Sequence, residues 1–287
     1  MKSVEGYVQV QGRKVWYKRV GERGIPLIVI HGGPGYPHDY LEPLEDLASE
    51  RPVVFYDQLG CGHSEWSANR SLWSVDYFVS ELQNIITNLD IDTYYLLGQS
   101  WGATIAASFA LPQPKGLKGI VLANPYLSTP RWEKDAAKLI KQLPWRDRWA
   151  LWRRDVDSHA FKEATRHYYG RFVYGMDQLP EACSRSAAKM NADIYQYMWG
   201  PTEFIVTGTL KGLDLTNQLS NIQMPTLFLC GRHDEATPEA CAYFASLMPN
   251  AKLEILENSA HHTHWTDRAT YMETVRAFLN SADSGAA

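Results

Sequence analysis

Cysteine is scarce in this chain: four residues in 287, Cys61, Cys183, Cys230 and Cys241, with no C-x-x-C pair among them. That spacing excludes a disulfide framework or a thiolate metal knuckle and reads as buried, reduced thiols in a cytoplasmic protein. Dense basic clustering is absent too. Lys and Arg total 28 against 32 Asp and Glu, a net charge of −4, so no nucleic-acid partner is expected. No run reaches the about 18 apolar residues of a membrane span. The amino-terminal MKSVEGYVQVQG carries no apolar stretch behind its lysine, so neither a membrane partner nor a secretion signal is expected. Repeats and low-complexity segments are missing apart from the polar tail SADSGAA, for which disorder is the expectation.

What is present is a globular composition, with 45% hydrophobic and 21% charged residues. A chain of this length buries roughly 75% of its unfolded surface and needs no covalent or metal staple. From Tyr7 to Tyr17 the residues alternate around Gly12, the pattern of a hairpin. Short, continuously apolar runs follow: LIVI after Pro26, VVFYD at Val53 to Asp57, TYYLL at Thr93 to Leu97 and GIVLANP at Gly119 to Pro125. Between them, DYLEPLEDLASE, the stripe Val75, Phe78, Leu82, Ile85 and Leu89, and WGATIAASFAL have helical patterns. Alternation of this kind implies a parallel sheet covered on both faces. From Tyr126 to Gly212 no strand-like run occurs, only helical stretches rich in Trp and Tyr, expected to divide between a packed core and a substrate pocket. Strand runs resume at Thr226 to Gly231 and Lys252 to Asn258, and an amphipathic helix through Tyr271, Val275 and Phe278 closes the chain. The expected organisation is an α/β core of residues 1–125 and 213–287 with a helical cap of residues 126–212.

Gly98-Gln99-Ser100-Trp101-Gly102 satisfies G-x-S-x-G at a strand-to-helix junction, the context in which a sharp turn exposes a nucleophilic serine. A base and its orienting acid follow in the order such enzymes use. Asp234 lies just beyond the TLFLC strand, and His261 just beyond the LEILE strand, where parallel sheets place ligands. Of the neighbouring His261, His262 and His264, the first follows directly on the Asn-Ser-Ala turn and is the expected base; a zinc site lacks a complete ligand set there. His233 is expected at the rim. The loop His31-Gly32-Gly33-Pro34-Gly35 leaves backbone N–H groups free for an oxyanion, with Gly33 and Trp101 the expected donors; a phosphate cradle would need the lysine that this loop lacks.

Taken together, HGGPG, DQLGCGHS, GQSWG, GPTEF and GRHDEATP resemble the proline iminopeptidases, serine peptidases of the α/β-hydrolase fold, over nearly the whole chain. The resemblance implies a mostly parallel central sheet with helices on both faces and an inserted helical cap. It implies the triad Ser100, Asp234 and His261, oxyanion amides at Gly33 and Trp101, and Glu203 and Glu235 as ligands of the substrate's free amino terminus. No cofactor or metal is implied, and the substrate is a short peptide or amino-acid amide. Ala103 departs from the glycine common in this family and adds a methyl group behind Ser100. An amidase or carboxylesterase on the same scaffold, or a ligand receptor with little turnover, is the competing expectation; oligomeric state stays open.

Overall fold

The chain opens on the hairpin β1 (Ser3–Val10) and β2 (Arg13–Val20), whose two-residue turn puts Gln11 and Gly12 at φ 50° and 79°, the primed geometry that suits the twist of paired strands. Four apolar runs become β3 (Leu27–Ile30), β4 (Val53–Tyr56), β5 (Tyr94–Gln99) and β6 (Leu117–Ala123). After a long helical stretch come β7 (Thr226–Gly231) and β8 (Ala251–Leu256). The structure, a computed structural model, describes residues 2–284. Its eight strands form one sheet in the order β1-β2-β4-β3-β5-β6-β7-β8, antiparallel at the hairpin end and parallel from β4 onward.

Ten α-helices accompany this sheet among the described residues. α1 (Val75–Asn88), capped by the Ser74 side chain on Tyr77 N–H, leads into β5, and α2 (Trp101–Ala110) leaves it. Between β6 and β7 lie α3 (Thr129–Ile140), α4 (Trp145–Arg153), α5 (His159–Tyr168), α6 (Glu181–Ala188) and α7 (Ala192–Met198). α8 (Pro238–Ser246), the short α9 (Thr263–Thr266) and α10 (Arg268–Asp283) complete the chain. Side chains alternate along each strand, so Ile28, Ile30, Val54 and Leu96 pack with α1 and α2, whereas Leu27, Val29, Phe55 and Leu97 pack with α10. A third cluster, including Leu139, Leu151, Phe161 and Phe204, belongs to the segment between β6 and β7.

Three local outcomes depart from the sequence pattern. The stretch after β3 coils as a 3₁₀ helix, His38–Ser49, because Pro43 in its middle has no N–H to donate and its ring crowds an α-helical turn. The tail does not fray at Ser281, since α10 runs to Asp283 and its end is tied to the core through Asp283, which accepts from Arg51 and Tyr95; the rest of the expected disorder, residues 285–287, falls outside the described residues. Finally, Trp145, Trp149 and Trp152 on α4 join neither a core nor a pocket but stand in solvent.

The core also encloses a carboxyl group. Glu81 on α1 is fully buried and accepts from Leu59 N–H at 2.9 Å, and burial pushes its pKa up to about 8. A carboxyl raised in the fold loses stability as pH rises, because the unfolded chain releases its proton near the usual value while the native state retains it. Glu81→Gln keeps the acceptor for Leu59 and carries no charge. It is therefore expected to raise thermal stability relative to the parent above pH 8, by on the order of a few kcal/mol, and to leave it little changed near pH 5. Equal melting curves at both pH values would rule out an ionised Glu81 as a source of alkaline instability.

Candidate active site

The elbow between β5 and α2 holds Ser100 at φ 54°, ψ −116°, a conformation few non-glycine residues adopt. The flanking glycines allow it. A Cβ on Gly98 would lie 2.2 Å from the Gly102 carbonyl oxygen, and one on Gly102 would lie 2.1 Å from that of Ile30. Only without side chains at both places can the helix start press against the strands. Ser100 N–H donates to Ala123 at 2.9 Å, and Ala103 N–H donates to the Ser100 carbonyl at 2.9 Å. The Ala103 methyl group is fully buried in the core face of α2, so the extra carbon is accommodated by packing.

Topology brings a second loop beside this elbow. β3 leads through the 3₁₀ helix to β4 on one side, and β4 leads through α1 to β5 on the other, so the chain reverses its direction of winding at β3 and opens a crevice at the strands' carboxyl ends. The loops following β3 and β5 flank that crevice, with Ile30 paired to Gly98. Gly33 has φ 112°, and a Cβ there would strike the backbone nitrogens of Gly35 and Tyr36 at 2.7 Å. Trp101 is the first residue of α2, and its N–H has no acceptor within the helix.

A buried hydrogen-bond net fixes both loops. The Tyr40 hydroxyl accepts from Gly32 N–H at 2.7 Å and donates to Gln99 Oε1 at 2.5 Å, tying the glycine loop to the elbow. Gln58, from the DQLGCGHS segment, donates its N–H to His31 Nε2 at 2.9 Å and accepts from Trp101 Nε1 at 2.9 Å. His31 thus carries its proton on Nδ1, toward the Gly32 carbonyl at 2.9 Å, and burial lowers its pKa to about 4.

On the far side of the crevice, His261 Nδ1 lies 2.7 Å from Asp234 Oδ1. That oxygen also accepts from Ala236 N–H at 2.8 Å, and Oδ2 accepts from Asn124 Nδ2 at 2.5 Å, so the carboxylate is locked in orientation. His262 and His264 turn away from Asp234. Nδ1 of His262 lies 3.8 Å from Cys183 Sγ, and His264 Nε2 donates to the Tyr40 carbonyl at 2.9 Å. Burial lowers the pKa of both, that of His264 to about 3. His233 is exposed, and Cys183 is one of four free, buried cysteines.

Ser100, His261, Gly33, Glu203 and Glu235 line one cavity of about 440 Å³. Glu203 does not sit in a helix but in the turn after α7, where its Oε1 accepts from the Tyr195 hydroxyl at 2.7 Å and its N–H donates to the Tyr169 hydroxyl at 3.3 Å. Glu235 is buried, and its Oε2 has no partner among the described residues. Burial raises the pKa of both carboxyl groups, and for Glu235 the charges of Glu203 and Asp234 raise it further. Tyr36, Tyr169 and Tyr174 supply much of the remaining wall. Asn124 escaped the sequence reading although its place at the end of β6 marks such a residue; Tyr40 and Tyr195 had no sequence signal, since only the folded chain brings them to the loops they hold.

A family profile described as the alpha/beta hydrolase fold matches residues 25–268. The proline iminopeptidase of Heyndrickxia coagulans is 41% identical over 96% of this chain and 99% of that protein. Among solved structures, the crystal structure of VinJ superimposes with a TM-score of 0.93 at 35% identity, covering 97% of this chain and 99% of the other. The crystal structure of the Mycobacterium smegmatis proline iminopeptidase gives 0.93 at 32% identity, covering 99% of this chain and all 100% of that one.

Proposed function

The chain belongs to the proline iminopeptidase family of α/β-hydrolases, and we propose that it is a serine aminopeptidase that releases an N-terminal residue, proline first among them, from short peptides or amides. Ser100 attacks the first carbonyl carbon while His261 takes the hydroxyl proton. The resulting oxyanion accepts from the N–H groups of Gly33 and Trp101, and Asp234 orients the imidazole and stabilises its charged form. Collapse of the tetrahedral intermediate breaks the C–N bond, and His261 gives its proton to the leaving amine. Water then hydrolyses the ester on Ser100 with His261 as base, releasing the amino acid and restoring the hydroxyl. Residues 126–212 form the cap over this site, and the cytoplasm is the compartment; among the described residues no helix is long and apolar enough to cross a membrane.

Two buried carboxyl groups sharing the cavity of the nucleophile carry the choice of an aminopeptidase over an esterase. An acyl ester has no use for them, whereas a protonated prolyl nitrogen, one carbon from the scissile carbonyl, needs negative charge there. Hydrogen bonds to charged groups contribute roughly 1.5 to 3 kcal/mol each, so Glu203→Gln or Glu235→Gln is expected to lower kcat/KM on a prolyl-arylamide about 10- to 150-fold. Hydrolysis of an uncharged acetyl ester should persist, and N-acetylprolyl-arylamide should be a poor substrate for every form. A ratio of arylamide to ester activity that is the same in parent and variants would hand the site to the esterase reading.

The pH dependence follows with a definite sign. Raised carboxyl pKa values mean that protons return to the pair as pH falls, while the substrate amine stays cationic. The socket then loses the charge that holds the amine. On the acid side of neutrality the arylamide-to-ester ratio is expected to decline with falling pH, since the acyl-transfer steps common to both substrates cancel in the ratio. A ratio independent of pH from 5 to 7 would argue against a carboxylate socket.

A further inference from the structure

The surface of α4 presents an arrangement that catalysis does not use. At roughly 100° per residue, Trp145, Trp149 and Trp152 fall within about 60° of one another. They are 66%, 53% and 79% exposed. The opposite face, Asp147, Ala150 and Leu151, is buried against α5, where Asp147 bonds to His167 Nδ1 at 2.9 Å. Arg148 flanks the Trp stripe on one side and Arg146 and Arg153 on the other, with Arg154 exposed at the helix end. The Arg153 guanidinium lies 4.8 Å from the Trp149 ring centre, and that of Arg146 lies 5.5 Å from Trp145. None of the four is in a salt bridge among the described residues; Asp155 and Asp157 follow beyond the helix.

A helix with a core face on one side and a Trp stripe on the other is amphipathic twice over. Water gains nothing from three such rings, and indoles with cations on both flanks match one environment especially well, the headgroup layer of an anionic bilayer. There the ring body meets the acyl boundary, the indole N–H meets carbonyl and phosphate oxygens, and each guanidinium meets phosphate. A second copy of this chain fits less well, because a two-fold contact through this face sets four arginines against four. A protein groove would have to match a convex row of rings, whereas a bilayer conforms to it. Contrary to the sequence expectation of no membrane partner, which rested on the lack of an apolar run, we propose that the α4 face is a peripheral docking surface for membranes rich in anionic phospholipid, with the helix lying in the plane of the interface.

The test is co-sedimentation of the full chain with phosphatidylcholine vesicles that contain or lack phosphatidylglycerol. Binding is expected only to the phosphatidylglycerol vesicles and to weaken with added salt. Each arginine contributes roughly fivefold in partitioning, so Arg148→Glu with Arg153→Glu should reduce it at least about 25-fold. The triple change Trp145→Ser, Trp149→Ser and Trp152→Ser should reduce it about tenfold or more. Trp66→Ser, which removes an exposed Trp elsewhere, should not. All these side chains are solvent-facing, and unchanged turnover of a soluble arylamide checks that each variant is folded. Absence of binding to the anionic vesicles, or binding that survives both sets of changes, overturns the proposal. So does a dimer in solution that the triple Trp variant dissolves, since the face would then be covered by a second copy.

Discussion

Replacing Ser100 by alanine is expected to lower kcat by on the order of 10⁶ while leaving the melting temperature within a degree or two of the parent's. The two halves of this expectation have separate grounds. On the proposed mechanism, loss of the hydroxyl removes the atom that forms the ester intermediate, and the imidazole and oxyanion donors left behind have nothing to act upon in concert. Stability is spared because the contacts of this residue are made by its backbone: N–H to Ala123 at 2.9 Å and the carbonyl accepting from Ala103 at 2.9 Å and Tyr126 at 3.3 Å. Alanine meets the same positive φ as serine and loses no buried hydrogen bond. The check is turnover of a prolyl-arylamide by the purified variant beside a calorimetric scan. Activity above a few per cent in a pure preparation would make the elbow a structural turn and send the search for a nucleophile elsewhere in the cavity.

How far such a site can be read before folding depends on whether its determinants are local. The sheet was legible because strands buried on both faces need no polar alternation, which makes LIVI and VVFY conspicuous, and the elbow was legible in part because Gly98 answers to a steric limit four residues away at Gly102, whereas Gly102 answers to Ile30 on a neighbouring strand. Asp234 and His261 were legible by position, each following a strand directly. What sequence could not supply is contact across long separations. Tyr40 meets Gln99 and Asn124 meets Asp234 only after the sheet has formed, and Glu203 reaches the cavity on a turn whose shape depends on Tyr169 and Trp132. The α4 tryptophans show the opposite limit. Their spacing is that of a core stripe, and only the placement of Ala150 and Leu151 on α5 decides that the rings face outward.

His261→Ala is expected to match the loss at Ser100, on the order of 10⁶ in kcat, whereas the same change at His262 or His264 should cost activity far less and stability more. One base is required at one geometry, and only His261 both lines the cavity with Ser100 and has its Nδ1 2.7 Å from a carboxylate. Asp234 keeps its donors Ala236 and Asn124 when the imidazole is removed, so the variant should fold. His264 is fully buried and supports Tyr40 from behind, so its removal opens a cavity and costs on the order of a few kcal/mol. The Tyr40 carbonyl nevertheless retains Trp265 Nε1 as a donor at 2.7 Å, so the hydroxyl that positions Gly32 stays in place and much of kcat with it. Acid should expose the same distinction in the parent enzyme. His31 and His264 are held neutral in the fold, and the unfolded chain takes up their protons near pH 6.5. Stability therefore declines from those two groups as pH falls from about 6.5 toward 4, and His264→Ala should flatten that decline by one proton. A variant series in which His262→Ala or His264→Ala abolishes turnover at full stability, while His261→Ala retains it, would move the base and require a different partner for Asp234.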